Sequence, residues 1–301
     1  MGIKVLNHQK TPIVSVIMSA KDADPWLATS IKSILVQTLE SFEFLIVDDA
    51  SNDKTAKILE EFESYDSRIK VYTNNSPKGL PASLNFLIKE SRGYYIARMD
   101  ADDISHHNRL ESQLVFMEEN KDIGLCFSDA NIILDNGDFL CKKWSPNNIW
   151  TYHFMMPYIN YFTHPTAFVR RGAYLNDGLY NESYPKGQDW NLWQRMHRRG
   201  IKFGVVHETL LDYRLCIVSN SASLSTSSSY GLDYFKSITL IRNRNKFESL
   251  KFINKIPRKL LFKYVLNLFI PQVVMQFAII INSKLNKNSA VNKLLNQDSS
   301  F

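Results

Sequence analysis

Few cysteines, few glycines and no apolar run at the start of the chain set the first bounds. The three cysteines in 301 residues, Cys126, Cys141 and Cys216, are odd in number and far apart. That excludes a paired disulfide framework and a cysteine-rich zinc site, and it suits a reducing compartment. Residues 1–10 lack the apolar core of a secretory signal, so the protein is expected to stay where it is made. With 11 glycines and 10 prolines the chain is neither collagenous nor low in complexity. What is present, 45% hydrophobic, 12% aromatic and 22% charged residues, is the profile of a folded protein. The formal charge is +6, but it is unevenly spread. Residues 231–301 hold 12 basic and 3 acidic side chains, and residues 1–230 hold 24 and 27. The main body therefore has no phosphate-backbone footprint, and no nucleic-acid partner is expected.

The first half alternates short apolar runs with segments of helical period, the pattern of a parallel sheet with crossover helices. Ile13 to Met18 reads as a strand buried on both faces. A helix follows, with Asp24 as N-cap and Pro25 as first helical residue. Further strands are expected at Phe42–Val47, Ile69–Tyr72 and Tyr94–Met99, with helices between them. Residues 125–168 break into short apolar segments with a hairpin turn at Asp135-Asn136-Gly137-Asp138. Gln188–Arg199 reads as a helix, and Phe203–Val206 and Leu210–Tyr213 as two short strands. A Ser-rich stretch, 219–229, divides a domain over residues 1–220 from the basic segment 221–301.

Asp48-Asp49 and Asp100-Ala101-Asp102-Asp103 each fall at the carboxyl end of an expected strand, the edge where open α/β sheets bind ligands. Three carboxylates within four residues repel one another, and a hard divalent cation, Mg²⁺ or Mn²⁺, would relieve that repulsion. A solvated acidic turn capping the next helix fits the same residues equally well. Asp48-Asp49 reads either as a hydrogen-bonding edge for a base or sugar, or as turn chemistry.

Several stretches together resemble glycosyltransferase family 2. They are Val14–Met18, Ser33-Ile34-Leu35-Val36-Gln37-Thr38, Phe44–Asp53, and Gly79-Leu80 with Ala82-Ser83-Leu84-Asn85. Gly93–Asp103, Arg109-Leu110, His164-Pro165, Arg170-Arg171 and Gln188–Arg195 complete the set, which covers residues 12–215 in order. The resemblance is greatest to bacterial members that build surface polysaccharide or lipopolysaccharide. It implies a GT-A fold, a mostly parallel α/β sheet flanked by helices, a UDP-sugar donor, Mn²⁺ or Mg²⁺, and inversion at the anomeric carbon. By position, Asp49 would contact the nucleobase, and the main chain of Ser19 and Ala20 would line the nucleoside pocket. Asp102 would ligate the metal with Asp100 as its partner in the Asp-x-Asp motif, and Asp189 would be the catalytic base.

Other residues divide between roles. Arg98 is expected to salt-bridge Asp100, with phosphate contact as the alternative. His164, Gln188 and Trp190 are candidates for the acceptor pocket; Trp190 and Trp193 could both stack on a sugar face, and at helical spacing core packing is the alternative that suits both better. His106 and His107 suit a helix start. Gln188 stands where the family often has an acidic residue, and Cys216 follows Tyr213-Arg214 where many members carry a histidine.

The expected function is transfer of a sugar from a UDP-sugar to a hydroxyl of a glycan or lipid-linked saccharide. A sugar nucleotidyltransferase would carry a Gly-rich basic loop after the first strand, and Ser19-Ala20-Lys21-Asp22-Ala23-Asp24 is not one. A non-catalytic nucleotide-sugar-binding module is the remaining alternative. In the basic segment, Tyr264–Ile281 is apolar but interrupted by Asn267, Pro271, Gln272 and Gln276 and flanked by lysines. An anionic membrane surface suits it better than a spanning helix, with a helix packed on the main domain as the alternative, and the expected location is peripheral, on the cytoplasmic face of the inner membrane.

Overall fold

A computed structural model describes residues 11–145, 160, 162–184 and 187–215. Cys216, the Ser-rich stretch and the basic segment lie outside the described residues. The elements run β1 (Val14–Ala20), α1 (Asp24–Leu35), β2 (Phe42–Asp48), α2 (Thr55–Tyr65), β3 (Ile69–Thr73), α3 (Leu80–Glu90) and β4 (Tyr95–Asp100). They continue with β5 (Ile104–Ser105), α4 (Arg109–Glu119), β6 (Ile123–Leu134) and β7 (Phe139–Lys143). A 3₁₀ turn (His164–Thr166), β8 (Phe168–Arg170), α5 (Arg171–Asp177), α6 (Gln188–Arg198) and β9 (Lys202–Leu215) complete them.

The strands form one sheet in the order β3-β2-β1-β4-β8-β6-β9-β5, with β7 paired to β6. The parallel part that the alternating pattern predicts is β3-β2-β1-β4. Six of the seven β1 side chains are buried because helices cover both faces of a parallel sheet. Right-handed crossovers put α1 and α2 on one face, where they pack together, and α3 on the other, against β1 and β2. Leu27, Ile31 and Ile34 of α1 are fully buried, each stabilising the fold by about 1.5–3 kcal/mol.

Beyond β4 the sheet turns mixed. β8 runs antiparallel between β4 and β6, β6 pairs parallel with β9, and β5 pairs antiparallel with β9. The 135–138 turn does join an antiparallel pair, β6 and β7, with Gly137 at φ +89°. Two expectations need correction. The two short strands over 203–213 are one 14-residue strand, and the loosened region begins with a 12-residue strand. The polar residues His207 and Glu208 sit where the β6–β9 register skips from Val206 to Thr209, so a bulge carries the strand through them. Asp24 is likewise the first residue of α1 rather than its cap. The cap position is Ala23, and the donors at the helix start go to the next loop: Ala23 N–H to Thr55 Oγ1 (2.8 Å) and Asp24 N–H to Asp53 Oδ2 (3.0 Å). Among the described residues no helix is long and apolar enough to cross a membrane.

Candidate active site

The register sets the geometry of the carboxyl edge. Ser19 of β1 lies opposite Val47 on one side and Asp100 on the other, and Ala20 lies opposite Asp48. The Asp48-Asp49 and Asp100 strand ends thus flank the end of β1, about two strand spacings or ~10 Å apart. The loops after β1 and β2 are laced together. Asn52 N–H donates to Asp22 Oδ1 (2.8 Å), Asp22 N–H to Ser51 Oγ (3.0 Å), and Lys21 Nζ to the carbonyls of Asp49 (3.3 Å) and Ala50 (3.0 Å). Asp22 and Ala50 hold positive φ angles of 48° and 58°, a costly backbone state that these cross-loop bonds sustain.

The two adjacent aspartates divide their work. Asp48 accepts from Ser51 N–H (3.0 Å) and Oγ (2.6 Å), which is turn chemistry. Asp49, 2% exposed, accepts from Asn74 Nδ2 (2.7 Å), Lys78 N–H (2.8 Å) and Gly79 N–H (2.9 Å). Burial pushes the Asp49 carboxyl up, but these donors outweigh it and hold the group below the usual aspartate value. Asp49 therefore anchors the start of α3, leaving part of its acceptor capacity for another donor. Asn85 on α3 fixes the loop that precedes α6, exchanging hydrogen bonds with the main chain of Tyr180 (2.8 and 2.9 Å).

At the end of β4, one carboxylate oxygen from each of Asp100, Asp102 and Asp103 lies within 4.8 Å of the others. The cluster rests on two buried arginines. Arg98 bonds both oxygens of Asp100, which keeps the guanidinium charged despite full burial. Arg109 donates to the Arg98 carbonyl (2.7 Å), and burial lowers it to about 10. Asp103 is 1% exposed; its Oδ1 accepts the Arg214 N–H (2.8 Å) and its Oδ2 has no hydrogen-bond partner. Burial first, then Asp102 and Asp100, raise its carboxyl well above the ordinary value. Converging hard oxygen donors with one buried and unsatisfied fit a divalent cation of the Mg²⁺ or Mn²⁺ type. The sequence reading gave Asp103 no separate role, although it belongs to the same acidic run; its burial is visible only in the fold.

Asp189 sits in the first turn of α6, behind the N-cap Gly187 at φ +69°. Its Oδ2 accepts from Asn160 Nδ2 (2.7 Å), so its side chain reaches across to another segment instead of capping its own helix. Lys143 is its neighbouring cation: burial lowers the ammonium and Asp189 pulls it back up. A buried network ties this region to the acidic cluster. His164 Nε2 bonds Tyr180 Oη at 2.7 Å, the His164 ring packs 6.0 Å from the Trp193 ring, and Tyr180 feels both Arg98 and Asp189. Burial and Arg98 hold His164 well below the ordinary histidine value, so it is a neutral partner of Tyr180. Gln188 is buried and Trp190 partly exposed, while Trp193 is fully buried against Phe127, as core packing requires. His106 serves the helix start through its carbonyl, which accepts the Arg109 N–H (3.0 Å), while its ring pairs with Asp212 Oδ1 at 2.9 Å, on β9. Asn160 and Lys143 join the site through tertiary contacts that no local motif announces, and Arg214, named in the sequence only as a landmark, joins it from β9.

The model for glycosyl transferase family 2 matches residues 15–177. The chain belongs to glycosyltransferase family 2. An uncharacterised glycosyltransferase of Methanocaldococcus jannaschii is 35% identical over 217 residues, covering 70% of this chain and 73% of that one. The O-antigen biosynthesis glycosyltransferase WbnJ of Escherichia coli is 31% identical over 218 residues, covering 71% and 82%. The fold is shared with Staphylococcus aureus TarS solved with UDP-GlcNAc (TM-score 0.57, 17% identity, 83% of this chain and 75% of that one). It is shared also with the mannosyltransferase PcManGT of Pyrobaculum calidifontis solved with GDP-Man and Mn²⁺ (TM-score 0.54, 12% identity, 79% and 64%). Both are GT-A enzymes, and the chain shares their mixed α/β fold; that it is a glycosyltransferase follows from the family match and the relatives.

Proposed function

We propose that this glycosyltransferase moves a sugar, with inversion, from a UDP-sugar to a hydroxyl of a glycan or lipid-linked saccharide in surface polysaccharide synthesis. The observation that carries the reading is the acidic tip of β4, with the unsatisfied Asp103 oxygen, beside the strand ends that carry Ser19, Ala20 and Asp49. The O-antigen assignment of WbnJ and the UDP-GlcNAc held by TarS support the acceptor class and the donor nucleotide.

In this reading Asp49 orients the base, and the main chain of Ser19 and Ala20 lines the nucleoside. Asp100, Asp102 and Asp103 would hold Mn²⁺ or Mg²⁺, which would supply Lewis-acid stabilisation of the leaving diphosphate. Asp189 takes the proton of the acceptor hydroxyl as its oxygen bonds the anomeric carbon and the bond from that carbon to the diphosphate oxygen breaks. The acceptor attacks from the face opposite the leaving group, so the configuration inverts and no covalent enzyme intermediate is needed. His164, Gln188 and Trp190 border the acceptor side, with His164 acting through Tyr180.

The catalytic domain is taken as residues 1–220. Residues 221–301, with their excess of lysine and arginine, are proposed to hold the protein on the cytoplasmic face of an anionic membrane. The test is a screen of UDP-sugars for Mn²⁺-dependent UDP release by the full chain. Asp102→Ala is expected to abolish the metal dependence. Asp189→Asn is expected to lower turnover by about 10²–10⁴-fold while donor binding persists. UDP release that continues undiminished in Asp189→Asn removes Asp189 as the base, and no release with any donor removes the reading.

A further inference from the structure

Arg214, near the end of β9, is 6% exposed, and its guanidinium is spent on main-chain carbonyls. Nε donates to the Asp102 carbonyl (2.8 Å), and Nη1 donates to the carbonyls of Leu134 (3.0 Å) and Asp135 (2.9 Å). Its backbone N–H donates to Asp103 Oδ1 (2.8 Å). One residue thus holds the acidic loop by two points and the β6–β7 turn by two more. Trp26 of α1 braces the same turn: its indole N–H donates to the Asp135 carbonyl (3.3 Å), and its ring lies 5.9 Å from the Arg214 guanidinium. The upstream end of the loop is fixed by Ser30 Oγ on the Asp100 carbonyl (2.8 Å) and the downstream end by β5 paired to β9.

The tether has a physical purpose. Three carboxylates crowded at the end of β4 push apart, and nothing in an isolated turn would keep their oxygens converging. An arginine answers this with a fixed planar set of donors and a permanent positive charge. Lysine offers the charge without that planar set.

Resting on the reading that this tip takes a divalent cation, we propose that Arg214 is a positioning residue that keeps Asp100, Asp102 and Asp103 converged on the cation site. It acts through the Asp102 carbonyl and the β6–β7 turn and touches neither substrate nor metal. Groups that orient ligands in this way change metal affinity by about 10–100-fold when removed.

The experiment titrates Mn²⁺ into the full chain, following the free ion by electron paramagnetic resonance, in wild type, Arg214→Lys and Trp26→Phe, well below each unfolding midpoint. Arg214→Lys is expected to raise the Mn²⁺ Kd by about tenfold or more. It is also expected to narrow the preference for Mn²⁺ over the larger Ca²⁺, a change that a general loss of stability would not produce. Trp26→Phe, which keeps the arginine but removes one brace of the turn, is expected to weaken Mn²⁺ in the same direction by less. A wild type that binds no Mn²⁺ overturns the metal reading itself. A wild type that binds Mn²⁺ beside a folded Arg214→Lys of equal affinity and unchanged selectivity overturns the positioning role and leaves the metal reading standing. If Arg214→Lys does not fold, Trp26→Phe decides: an unchanged Kd overturns the proposal.

Discussion

Replacing Asp103 by Asn separates what the acidic tip costs the fold from what it provides to a cation. In the wild-type fold the Asp103 carboxyl titrates well above 3.8 because it is buried beside Asp102 and Asp100. A group with a raised folded value lends stability at low pH and loses it as pH rises toward that value. Between 3.8 and the folded value, the loss from this group is at most about 1.4 kcal/mol per pH unit. Coulomb's law gives the scale. Two unit charges 4.8 Å apart, the outer limit of the spacing, cost about 1 kcal/mol in water and about 3.5 kcal/mol at an effective dielectric of ~20. Partial protonation relieves some of this. Asp103→Asn keeps an Oδ1 acceptor for the Arg214 N–H, so metal-free protein at or above neutral pH should gain about 1–2 kcal/mol, or roughly 2–8 °C in midpoint. Thermal melts by circular dichroism in chelator across a pH series read this directly. The difference between variant and wild type should grow with pH, and Mn²⁺ should stabilise wild type more than the variant. A variant less stable than wild type at every pH, or one stabilised equally by Mn²⁺, refutes the reasoning.

Asp49→Asn replaces a carboxylate that accepts two backbone N–H groups at the start of α3, and should cost about 1–3 kcal/mol. Because Asp49 is held below its usual value, that stability is present above the unfolded value and lost as pH falls through the folded one, so the variant should melt with a flatter acid limb. Trp193→Ala opens a cavity beside Phe127 and His164 and should cost about 3–5 kcal/mol, seen as a lower urea midpoint; a loss under about 1 kcal/mol would show that the site collapses freely. The full chain should co-sediment with anionic vesicles, less so at high salt and not with neutral ones; equal sedimentation with both would remove the electrostatic basis of membrane association.

Much of this was legible in local sequence. The run of Ile13 to Met18 reads as a strand buried on both faces, and β1 spans Val14–Ala20. Asp49 and Asp100 fell at strand ends because the apolar runs stop there, and the 135–138 turn announced its hairpin. Reading failed where a pattern is broken locally and restored by pairing: His207 and Glu208 looked like a loop because a bulge is invisible without the partner strand. Asp24 looked like a cap because nothing in its own segment shows that Asp53 and Thr55 supply the acceptors.

Covalent order and periodicity determine which residues end each parallel strand, since burial of alternating or continuous apolar runs needs no distant information. They also settle the family, through motifs kept in order along the chain. Whether those strand ends form one site was decided only in three dimensions. The strand order sets β1 between β2 and β4, and β9 returns Arg214 to the acidic loop more than a hundred residues upstream in the chain. Packing divides three chemically identical aspartates into an arginine-paired one, a partly buried one and a buried one with an unsatisfied oxygen. Desolvation and hydrogen-bond geometry are properties of packing, and residue order does not carry them.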